Sequence, residues 1–125
     1  MLEYQFGIAR WIMASLLIIN GGGLLALRDV VDKHPSSGVA ATWFLIGIIS
    51  AVLVGTFAWF NCNCITVAID HRTDWENVDY KDSPRADHWD VAAITFAWLS
   101  VGAVAVSLAA FTAGAIQTKI ALGSW

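Results

Sequence analysis

Two neighbouring pairs hold most of this chain's capacity for metal chemistry: Asp70-His71 and Asp87-His88. An imidazole beside a carboxylate is a donor set that suits zinc and related divalent ions. If the ends of adjacent helices lie together, His71 and His88 meet at one interface, with Asp74 or Asp90 beside them. No HExxH or comparable motif supports such a centre. The two histidines therefore read as interfacial residues that bind nothing, and no metal or other cofactor is expected. Cys62 and Cys64 stand in Asn61-Cys62-Asn63-Cys64. Residues two apart point about 200° from one another on a helix and share a face on a strand. The spacing is not the Cys-x-x-Cys of redox sites, and a disulfide across it would be strained. Zinc through Cys62, Cys64 and His71 is the chemical alternative. The plainer readings are small apolar residues at a helix end or a lipidated thiol beside a membrane. There is no GxSxG, P-loop, GxGxxG or clustered Ser/His/Asp set. The chain reads as a non-enzyme.

The elements that must carry these residues follow from composition. Of 125 residues, 58% are hydrophobic and 14% charged, against about a quarter charged in soluble domains. A chain this short needs polar residues to cover its surface, and a mean hydropathy of +0.63 leaves too few. With a formal charge of −3 and no basic run, nucleic acid is an unsuitable partner. The expectation is an all-α integral membrane protein, a single domain.

Three runs of about 18 or more residues with little or no charge are the membrane-span candidates. They cover 7–27, 39–60 and 91–118, and each is long enough to cross once. Met1 to Arg10 followed by an apolar stretch can imitate a signal peptide. Glu3 and a lone Arg10 make a poor basic leader, so the segment is expected to stay as a membrane helix. Ser36 or Ser37 can cap the second helix, and Ser83-Pro84 looks like a cap with proline at the first helical position. That start precedes the third span by about two turns and puts Asp87 and Asp90 on its positive end. Trp11, Trp43, Trp59 and Trp89 fall near span ends, where indole prefers the interface. These features predict an up-down-up bundle with one acidic extramembrane loop at 70–90. Arg10, Arg72, Lys81 and Arg85 on one side outnumber Arg28, Lys33 and Lys119 on the other. The N-terminus and the acidic loop are therefore expected in the cytoplasm.

The loop holds seven of the ten acidic residues. It reads as a solvated turn or, through Asp74, Trp75, Glu76, Asp79 and Tyr80, as a docking surface for a basic partner. Within the spans, only Arg10 is charged and no histidine occurs. That leaves proton relays, voltage sensors and bis-histidine haem sites without their working groups. The polar exception is Asn20, followed by Gly21, Gly22 and Gly23. An amide in hydrocarbon normally finds an interhelical partner. The glycines invite a kink or a close crossing, as a packing notch or as a constriction or ligand notch.

Small residues mark where helices can approach. On the third span Ala93, Ala97, Ser100, Ala103, Ser107, Ala110, Gly114 and Gln117 form one stripe, opposite Ile94, Trp98, Val101, Val104, Leu108 and Phe111. Gly47, Ala51 and Gly55 form a shorter one on the second. In lipid such stripes let backbones come close, either within the chain or against a neighbouring molecule. The resulting expectation is a membrane protein that acts by helix assembly, most simply a homo-oligomer with a channel-like or membrane-permeabilising role. The alternative is a non-catalytic anchor, accessory or immunity subunit on a larger membrane complex. Its partners are the bilayer and either itself or another membrane protein.

Overall fold

The computed structural model describes residues 2–31, 37–72 and 84–123. It is all-helical over these residues. Helix α1 is Leu2–Val31, α2 is Gly38–Arg72 and α3 is Pro84–Gly123. Ser37 is buried immediately before α2. Pro84 opens α3, where its missing N–H has no helical partner to lose. Asp87 lies in the first turn of α3 and Arg28 in the last turn of α1, each complementing the helix dipole.

All three helices are long and apolar enough to cross a membrane, over Phe6–Arg28, Gly38–Asp70 and Asp87–Gly123. The first matches the span read from sequence. The other two run further, because charge-poor residues such as Cys62, Cys64, Val67 and Ala68 continue α2 as helix past Phe60. At about 1.5 Å per residue, α2 and α3 measure about 52 and 60 Å, well beyond a hydrocarbon core of about 30 Å.

Residue partners fix how the helices meet. Along α1, Met13, Asn20 and Gly23 lie against Gly55, Gly47 and Phe44 of α2. Leu16 packs with Ala51 and Val54, and Leu27 with Ala40 and Phe44. Partner numbers fall as those of α1 rise, so the two helices run in opposite directions. Between α2 and α3 the partners are Asn61 with Ala93, Val54 with Ser100 and Gly47 with Ser107, again opposed. The α2–α3 interface is the largest, and α1 adds itself mainly through α2.

The outside is apolar, with Trp11, Ile18, Leu25, Ile49, Trp98 and Ile120 exposed. That surface suits lipid rather than water. Its threonines are closed on their own helices: Thr42, Thr56, Thr66, Thr95 and Thr112 each donate to the carbonyl four residues back. No hydroxyl donor among them is left facing hydrocarbon.

Candidate functional site

Asn20 is fully buried, and its amide ties all three helices together. Nδ2 donates to Leu16 O at 3.0 Å, within α1, and to Ser107 Oγ at 3.1 Å, on α3. The Ser107 hydroxyl then donates to Gly47 O of α2 at 2.8 Å. Donors and acceptors alternate without conflict. A carbonyl can only accept, so the NH2 end of the amide must face Leu16 O. Asn20 Oδ1 is buried with no hydrogen-bond partner. It lies over Gly47, where a Cβ would collide with it. Only glycine leaves room for the amide there, and a glycine Cα–H is the weak donor that remains.

A second junction is aromatic, and the sequence pattern alone does not point to it. Phe44 is buried, and its ring fills the space above Gly23 of α1 and Gly114 of α3. It meets Phe111 with centroids 5.8 Å apart and planes tilted by 59°. The signal that could have found it is a pair of glycines on different helices with one large ring between them. Further along, Phe96 stacks on Phe57 and Phe60, with centroids 6.3 and 5.2 Å apart. Beyond that, Asn61 donates to Ala93 O, a cross-helix bond that sequence reasoning also misses.

The residues singled out in the sequence separate into three groups. Gly47, Ala51, Ala103, Ser107, Ala110 and Gly114 are buried in the interfaces of this one chain. Ser100 and Gly55 are half-buried there, Ser100 Oγ lying 3.4 Å from Val54 O and Gly55 receiving the Met13 sulfur. Gln117 is half-buried near the end of α3. Of the glycine run, only Gly23 meets another helix; a Cβ placed on Gly21 or Gly22 would find no atom within 4 Å. Helix α1 continues through all three without a break. His88 is exposed, and the side chain of His71 lies outside the described residues. Among those described, no three His, Cys, Asp or Glu side chains gather to hold a metal. Asp74, Trp75, Glu76, Asp79 and Tyr80 also lie outside the described residues.

The expected α3 stripe needs one revision. Ala97 is exposed, and Phe96 takes its turn at the interface. At about 100° per residue, Phe96 lies about 60° to one side of Ala93 and Ala97 about 40° to the other, and the buried Ser107, Ala110 and Gly114 fall on the Phe96 side. Val104 and Phe111, placed opposite the stripe on sequence grounds, pack against the core.

With that stripe consumed internally, α3 still carries another. Gly102, Ala105 and Ala109 are exposed and Ala113 is half-buried. They recur at three- and four-residue steps on the side turned away from Ser107. Exposed Trp98 and Ile116 continue the line at either end. Gly102 has no neighbour within 4 Å of where a Cβ would stand. This face offers no ionisable group, only a shallow path for another helix. In comparisons with known proteins, no family model matches the chain, and no curated protein or solved structure matches it.

Proposed function

We propose that this chain is a non-catalytic, multi-pass membrane protein, an up-down-up bundle that works by helix–helix assembly, first of all with copies of itself. One observation carries the reading: α3 is small-faced on two opposite sides, and among the described residues the Ser107 side alone is covered. Without a hydrophobic gain between helices in lipid, association depends on close approach, which Gly102, Ala105 and Ala109 permit. The polar side chains Asn20, Ser50 and Ser107 are turned inward. The geometry thus supports assembly more directly than a water-lined conduction path between copies. The positive-charge balance favours the N-terminus and the acidic segment on the cytoplasmic side.

A second reading, a subunit bound to a larger complex, draws on the acidic residues clustered at 70–90, which suit a basic partner. Native mass in mild detergent, with the chain expressed alone, separates the two. A discrete homo-oligomer is expected, and Gly102→Leu with Ala109→Leu should reduce it to monomer without loss of helix content. A wild-type monomer would move the assignment to the subunit.

A further inference from the structure

Between the first half of α1 and the middle of α2 lies a groove of about 560 Å³. Its volume falls within the roughly 300–1,000 Å³ of small-molecule sites, which pair apolar walls with a few orienting polar groups. Phe6, Met13, Val52 and Trp59 supply the walls here, and Arg10 and Thr56 the polar groups. The groove exists because Gly55 faces Met13 and the neighbouring lining residues Ala9 and Ala58 are small. Phe6, Arg10, Val52, Thr56 and Trp59 are all exposed, so it opens on the outside of the bundle.

Arg10 has no side-chain hydrogen bond or ion pair among the described residues. The Thr56 hydroxyl is already donated to Val52 O. The guanidinium is thus the charged donor at the groove, beside the indole N–H of Trp59, and it is a fork that fits phosphate oxygens. Among the described residues no carboxylate lines the groove. We propose that the groove holds an anionic phospholipid, with its phosphate on Arg10 and one acyl chain along Met13, Val52 and Trp59. An occupant reached from the bilayer brings its own aliphatic chain to cover the walls. A net negative headgroup complements the Arg10 cation, which has no ion-pair partner among the described residues. The inference rests only on the chain's crossing a membrane, and it is independent of whether copies assemble.

The test is native mass spectrometry of the full chain, purified from nanodiscs of equal phosphatidylglycerol and phosphatidylcholine, counting lipids retained per chain. One phosphatidylglycerol per chain is expected, preferred about fivefold, the effect of one cation near a charged lipid surface. Arg10→Gln should abolish the preference, whereas Arg28→Gln at the other end of α1 should leave it. Ala58→Leu fills the groove without touching the charge, and should lower retention of both lipids. Thermal unfolding of each variant checks that the bundle persists. An unchanged preference in Arg10→Gln, an equal loss in Arg28→Gln, or no retained lipid would overturn the site. Because lipid is counted per chain, monomer and oligomer peaks give the same answer, and failure of assembly is read separately.

Discussion

Asn20 concentrates the molecule's polar chemistry in one side chain. Its need for an interhelical partner was legible in the sequence, since an amide in a hydrocarbon span has few other outlets. The identity of the partner was not, because Ser107 lies 87 residues away. Spacing along one helix says nothing about rotation against another. Two outcomes are expected at this scale. Gly47→Ala drives a methyl group into the Asn20 amide and should destabilise by about 1–3 kcal/mol, the usual cost of overpacking. Adding Asn20→Ala should recover part of that loss, so a double-mutant cycle in detergent unfolding gives a coupling well above zero. Additive effects would mean that the two groups do not touch. Ser107→Ala should cost about 1 kcal/mol and more than Ser100→Ala. Ser107 accepts from one helix and donates to another at 2.8 Å, while Ser100 makes one contact at 3.4 Å.

The helices themselves were the most legible part. Pro84 at the start of α3 and the placing of Ser37 before α2 follow from capping chemistry visible in the sequence. The ends of α2 and α3 were less so, since hydropathy marks where lipid is tolerated and not where backbone hydrogen bonding stops. Substituting small residues at similar positions along a helix should therefore give unlike results. Gly23→Ala meets the Phe44 ring, which Gly114 and Phe111 hold from the other side. It should lower stability by about 1–3 kcal/mol. Gly22→Ala meets nothing and should be neutral or stabilising by up to about 1 kcal/mol, the helical advantage of alanine over glycine. Thermal unfolding of the two single variants, side by side, decides this. If both behave alike, the Phe44 junction does not hold α1 in place.

For the whole molecule, the unequal interfaces set the order of loss. Helix α1 leans mainly on α2, and its first turns border an open groove. Amides around Met13 should exchange hydrogen in detergent faster than those around Asn20 or along the buried side of α2. The two small-residue stripes of α3 should also separate experimentally. Ser107→Leu with Gly114→Leu should unfold the chain, since both positions are buried within it. The outward pair Gly102→Leu and Ala109→Leu should alter native mass alone. From sequence the Ser107 stripe stands out as a seam, while the face of Gly102, Ala105 and Ala109 is masked by the larger residues Trp98, Val101 and Leu108 beside it. The positions of Phe44 and Asn20 on neighbouring helices decide which is covered, and those depend on three-dimensional register.

The separation of Asn20 from Ser107 also has a temporal meaning. Ribosomes add about 5–20 residues per second, so the 87 residues between the two side chains take roughly 4 to 17 s to synthesise. For most of that interval the first helix is complete while its amide still lacks Ser107. During biogenesis the nascent protein therefore presents an amide that an insertion factor or a chain on a neighbouring ribosome can engage before its own third helix arrives.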